Sequence, residues 1–438
     1  MDTSSTKQTP IGIKPVPVAA KLFCCIVLLI CSAAIPALPY YIGTEGFSPY
    51  VPVAILFAVL ALCLLFILTL CRKPLFLALA FAGALATSLL GLGLTGQYAA
   101  LLCGTVAGAV LIAGGGRIWY VFNLLVAALA AGVIYFLTGE PILAACALLP
   151  VLIGLALGIC YRKKYSIIVS VGVAAGTLLT ALVLLIGADA LMAGVPLFSA
   201  HGLTDYIRSI HASVAGLFAE SLQIMINPEA IVEHLTPLVG PDVPAESIAE
   251  LANSMSTSAI NMLGGDASAE AITAFANSMA LTVLGIVPGV AIMLSWLLGF
   301  IAHRGMTAAL VRGLDKKDYP EQLIKYEPSI PTAIFTILCF VVLVVSSLFP
   351  QAGVVVFIAL NLVLALLPLM SVSGILSIIS NVKNAPVKWP ILLTYGLAVL
   401  FLGVAVVPMI AFFGALAVLT QALTHALEQK FKDFTGGQ

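Results

Sequence analysis

Eighteen of the nineteen Lys and Arg residues occupy every second loop between long apolar stretches; only Arg208 lies on the other side. The basic groups are Lys7, Lys14 and Lys21; Arg72 and Lys73; Arg117; Arg162, Lys163 and Lys164; the run from Arg304 to Lys325; Lys383 and Lys388; and Lys430 and Lys432. Loops that stay in the cytoplasm retain Lys and Arg. The alternation therefore reads as a chain threaded back and forth through a bilayer, with both termini inside.

Composition agrees: 62% of the 438 residues are hydrophobic and 9% charged, against roughly 25% charged in soluble domains. In lipid the backbone must satisfy its own hydrogen bonds, so the expected fold is all-α, a polytopic transmembrane helical bundle. At ~20 residues per crossing we read twelve spans: 20–41, 51–71, 75–94, 98–114, 118–138, 141–160, 166–188, 278–302, 330–349, 352–378, 390–406 and 408–427. The apolar run from Leu22 to Ile42 is longer than the ~7–15 residues of a signal-peptide core and reads as the first span. Two six-span bundles follow, residues 1–164 and 165–438, in a bacterial inner (plasma) membrane. The pair 75–94 and 98–114, joined by Thr95-Gly96-Gln97, reads equally as two spans or as a re-entrant hairpin; so does the pair split at Pro408.

Residues 189–277 form the one sizeable polar insertion, expected on the extracytoplasmic side. Residues 189–270 carry ten acidic side chains and one basic. Helical periodicity places Leu203, Tyr206, Ile207, Ile210, Val214, Leu217 and Phe218 on one face of a first helix. Asn227-Pro228-Glu229 has the form of an N-cap, a first-turn Pro and an acidic first turn. A third helix from Pro244 aligns Ile248, Leu251, Met255, Ala259 and Met262 and stops at Gly264-Gly265. Such helices cap a bundle mouth or lie on the outer leaflet.

Small residues recur at helix-packing spacing: Ala78, Ala82 and Ala86; Gly104 and Gly108; Gly154 and Gly158. They read as close helix contacts, or as a docking face for a membrane partner. The nine cysteines lie in or beside apolar segments and read as packing residues. The spans carry no Asp, Glu or His near their middle, which argues against ion coupling through a titrating side chain.

Asn123 and Asn361 are the costliest polar side chains to bury, and so the best pocket candidates within the spans. Outside them, His201, Asp205, Arg208 and His211 sit three or four apart on one predicted helix. That spacing suits a ligand site at the external mouth, or a solvated face with local ion pairs. Nothing calls for a metal, a cofactor or nucleic acid; no Walker A sequence, GxSxG or paired intramembrane acids are present, and the chain does not read as an enzyme. A lipid-modifying role for His201 or His211 is the weakest alternative. The basic, amphipathic loop 303–329 suits anionic lipid or a cytoplasmic protein partner.

Two stretches carry a resemblance. One runs from Leu148-Leu149-Pro150 through Gly154 and Gly158 to Tyr161-Arg162-Lys163-Lys164. The other begins with Pro288 in a span ending at Arg304 and Arg312. It continues through Pro331, Ser371-Val372-Ser373-Gly374 and Pro386-Val387-Lys388-Trp389-Pro390 to Leu427 and Phe434. Their order resembles the YybS-like family of uncharacterised bacterial polytopic membrane proteins. That family is similar to the ligand-binding S subunits of energy-coupling factor transporters, six-helix bundles energised by partner proteins. The resemblance implies a membrane protein that binds or translocates a small molecule or lipid with a partner's help. A scaffold for a signalling or envelope-assembly complex is the alternative.

Overall fold

With no water to bond in a bilayer, peptide groups must pair within their own segment, and helices dominate throughout. The computed structural model describes residues 16–43, 50–88, 92–115, 118–196, 199, 201–236, 243–311, 326, 328–384 and 406–435. In chain order the helices are α1 (Val18–Gly43), α2 (Tyr50–Phe66, extended by a π-turn at Ile67–Cys71), α3 (Pro74–Ser88), α4 (Leu92–Gly114), α5 (Ile118–Thr138), α6 (Pro141–Cys146), α7 (Leu149–Arg162) and α8 (Ile167–Met192). They continue with α9 (Gly202–Ile226), α10 (Pro228–Leu235), α11 (Ala245–Met262), α12 (Ala269–Leu310), α13 (Ile330–Ser347), α14 (Gly353–Asn384) and α15 (Val406–Thr435). No strand occurs among the described residues. The protein is an all-α, polytopic membrane bundle.

Eleven helical segments among the described residues are long and apolar enough to cross a membrane. Ten coincide with expected spans; the eleventh is α9, which carries Asp205, Arg208 and Glu220. The other two expected spans are described only in part. Residues 390–405 lie outside the described residues, and Val406 begins α15. Of residues 75–94, those up to Ser88 lie in α3, residues 89–91 lie outside the described ones, and Leu92 to Leu94 begin α4. The turn expected at Thr95-Gly96-Gln97 is instead inside α4. Thr95 is buried, Gln97 Nε2 donates to the Ile35 carbonyl at 3.2 Å, and a Cβ on Gly96 would strike the Leu56 side chain. Gly96 is a packing glycine, and the helix runs through it.

The chain divides into two compact units, residues 1–186 with 289–438, and residues 187–288. In the first, α4 is the axle: 83% of its span is buried. It is also the least hydropathic of the ten expected spans, rich in Gly, Ala and Thr, whereas the outer helices present Leu, Val and Phe to lipid. Helix backbones approach closely only across small residues. Gly104 meets Pro150, and Gly154 and Gly158 meet the α4 backbone and Ile112. The glycine spacing therefore serves the contact between α4 and α7. The end of α12 joins this core: Ile301, Ala302, Met306 and Ala308–Val311 are buried with α1, α2 and α4. Residues 303–310, expected as loop, thus continue α12 and, apart from the half-buried Arg304, are buried; residues 312–325 lie outside the described ones. A second cluster gathers Ala333, Leu367, Met370, Ala411 and Ala415 from α13, α14 and α15.

The second unit holds α9, α10, α11 and the start of α12. Asn227 Oδ1 accepts the Glu229 N–H at 3.1 Å, and Gly264 and Gly265 close α11 at φ +78° and +88°. Both follow the expected punctuation. The packed face of α9 is rotated from the expected one. Phe218, Ala219, Leu222 and Ile226 meet Ile272, Phe275 and Ala276, while Leu203, Ile207 and Leu217 stay exposed. The buried face of α11 is likewise its small one, Ala252, Ser256 and Ala259, with Ser256 Oγ donating to the Ile226 carbonyl at 2.7 Å.

Candidate functional site

The four polar residues expected at an external mouth share α9. Arg208 and Asp205 pair at 3.5 Å with both side chains largely exposed. His201 stands at the N-cap without making a side-chain cap, and His211 is half-buried. None of the four lines the cavities described below. Screening leaves such an exposed pair little energy, and its geometry is that of a solvated helix face.

Asn123 and Asn361 are far apart in the sequence and clamp different helix pairs. Asn123 is 1% exposed, and its Nδ2 donates to the Gly108 carbonyl of α4 at 3.3 Å. Asn361 Oδ1 accepts the Gly289 N–H at 2.6 Å while its Nδ2 donates to Phe357 O at 2.8 Å. Gly289 follows Pro288, the proline inside α12, and a Cβ on it would press on the Asn361 backbone. Asn361 thus meets its burial cost by bonding backbone, whereas Asn123 does so only through Nδ2, its buried Oδ1 having no hydrogen-bond partner.

A polar cavity opens elsewhere, at the end of the second cluster. Gly374 of α14 and Gly414 of α15 cross so closely that a methyl on either would collide with the other helix's backbone. Beyond that crossing a space of about 340 Å³ opens between α14, α15 and the start of α13. Ser373, Ser377, Ser380, Gln421, His425 and Tyr326 supply its polar lining, with Leu376 and Val418 among the apolar wall. Ser373 is 8% exposed and its Oγ has no hydrogen-bond partner; Ser377 is half-buried, and Ser380, Gln421 and His425 are exposed at the mouth. Tyr326 is fixed by a 2.7 Å hydrogen bond from its hydroxyl to Leu369 O and by an edge-on contact with Phe300. Burial pushes its phenol above the usual tyrosine range, so it stays a neutral donor.

Among the described residues the lining contains no Lys, Arg, Asp or Glu, and its polar groups are hydroxyls, the Gln421 amide and the His425 ring. The cavity's volume lies at the small end of ligand pockets, roughly 300–1,000 Å³. An apolar groove of about 520 Å³ lies between α13 and α15, walled by Phe340, Val344, Met409 and Phe413 among others.

Ser371, Ser373 and Ser377 are uncharged polar residues within an expected span, but less costly to bury than the two asparagines. The signal available was the Ser-x-Ser-Gly run with Ser377 one turn on, a polar stripe beside a packing glycine. Gln421 and His425 offered none without the crossing. His303 was assigned to a loop; it is 1% exposed within α12, and its Nδ1 has no partner. Among the described residues no three His, Cys, Asp or Glu are grouped to hold a metal ion. Comparison with family models, curated proteins and solved structures gives no match.

Proposed function

We propose that this protein binds or translocates a small molecule or lipid in the bacterial inner membrane, with its termini cytoplasmic and residues 189–277 outside. It works as a transporter-like component that depends on a partner for energy. The observation that carries the reading is the cavity bordered by Ser373, whose buried hydroxyl has no partner, and lined among the described residues by hydrogen-bonding side chains. Buried polar groups left unpaired are costly, and a bound ligand would supply the missing bond. The resemblance to the YybS-like family, and through it to partner-energised S subunits, points the same way.

The test is mass spectrometry of small molecules and lipids that co-purify with the full-length chain, compared with Ser373→Leu. Leu fills the cavity floor and removes the orphan hydroxyl. A species retained by the wild type and lost from a folded variant is expected. Identical co-purifying species in both, or none in either, overturns the reading.

A further inference from the structure

Four helix ends meet at the basic end of the first bundle: the starts of α1 and α5 and the ends of α4 and α7. Lys21 on α1 is 8% exposed, and its ammonium lies 5.3 Å from the centre of the Trp119 ring. The next residue on α5, Tyr120, takes Arg162 of α7. The guanidinium lies 5.6 Å from the Tyr120 ring centre, and Nη1 donates to the Tyr120 hydroxyl at 3.3 Å and to Gly115 O at 3.4 Å. Ring faces and carbonyls orient cations without neutralising them. Residues 1–188 contain nine Lys and Arg but only three acids, Asp2, Glu45 and Glu140. Glu140 follows the opposite end of α5, and among the described residues neither Lys21 nor Arg162 has an ion-pair partner.

Among the described residues these two positioned cations have no ion-pair partner, and they stand beside two interfacial aromatics at the helix ends, a grouping of the kind that takes a phosphate headgroup. Arg162 keeps further N–H donors beyond those already used, and Lys21 has three. The adjoining face of α5 exposes Val121, Phe122, Leu125 and Leu129, a surface for acyl chains rather than for a free ion.

We infer that Lys21 and Arg162, presented by Trp119 and Tyr120, hold the phosphate of an anionic phospholipid. The site is independent of the Ser373 cavity. It is tested by native mass spectrometry of the full-length chain in mild detergent, titrated with phosphatidylglycerol or with phosphatidylcholine. Phosphatidylglycerol is expected to bind at least about tenfold more tightly, and the double variant Lys21→Gln/Arg162→Gln to abolish that preference. Lys163→Gln/Lys164→Gln, which removes exposed charge beside the site, is expected to keep it. Equal binding of the two lipids by the wild type overturns the inference whether or not any variant folds. So does an unchanged preference in the first variant, an equal loss in the second, or displacement of phosphatidylglycerol by excess inorganic phosphate.

Discussion

The contact between α4 and α7 makes a quantitative prediction through Gly154→Ala. A Cβ at position 154 would lie 2.9 Å from Thr105 O, 3.0 Å from Ala109 N and 3.1 Å from the Gly108 carbonyl carbon. All three are backbone atoms of α4, so no rotamer change relieves them. Restoring ordinary contact requires the helices to part by about half an ångström, enough to forfeit about a quarter of the dispersion energy of each facing atom pair. Overpacking of this kind costs about 1–3 kcal/mol, offset by the roughly 0.5–1 kcal/mol that Ala gains over Gly within a helix. Gly132→Ala on α5 supplies the reference, because nothing lies within 4 Å of its would-be Cβ. Subtracting one variant from the other cancels the helix-propensity contribution and leaves the overpacking alone. Unfolding of both full-length variants in mixed micelles, followed by circular dichroism, should find Gly154→Ala less stable by about 1–3 kcal/mol. If the two variants unfold together, the inferred close approach of α4 and α7 is wrong.

Asn361→Leu removes the acceptor of the Gly289 N–H and should cost about 1–3 kcal/mol in the same assay; an unchanged midpoint would mean that Gly289 bonds elsewhere. Asp205→Ala should move stability by no more than about 0.5 kcal/mol, because its 3.5 Å partner Arg208 is mostly solvated. A larger loss would show that the pair does more than decorate α9. Gln97→Leu should destabilise by about 1 kcal/mol through loss of the bond to Ile35 O; a neutral effect would argue against α4 running unbroken through Gly96.

The fold class was legible because charge placement and span length are bulk properties that tertiary detail does not alter. The punctuation around α10 and α11 was legible for a local reason: the Asn227 cap and the Gly264-Gly265 stop are made by neighbours in the sequence. The Ser373 cavity was not, because it depends on a crossing between Gly374 and Gly414, forty residues apart. Periodicity shows that a polar stripe exists on α14 without showing that α15 diverges from it. The surroundings of the asparagines were illegible for a related reason: the sequence does not reveal that the Gly289 N–H stands opposite Asn361, or that Asn123 Oδ1 is buried without a partner.

The misplaced turn at Thr95-Gly96-Gln97 shows why reading rules carried over from water fail here. In an aqueous protein Gly and polar residues interrupt helices because they favour turns and exposed backbone. In lipid a turn strands peptide groups without partners, so the same residues become the means of close helix contact. Gly96 admits Leu56, and Gln97 crosses to α1. The same inversion explains why α4, the poorest of the ten expected spans in large apolar side chains, lies deepest. Lipid solvates Leu and Phe as well as a protein interior does, so size rather than hydrophobicity sorts helices between centre and rim. A weakly apolar, Gly-rich span in such a chain is therefore evidence of centrality, and its interruptions should be read as contacts before they are read as ends.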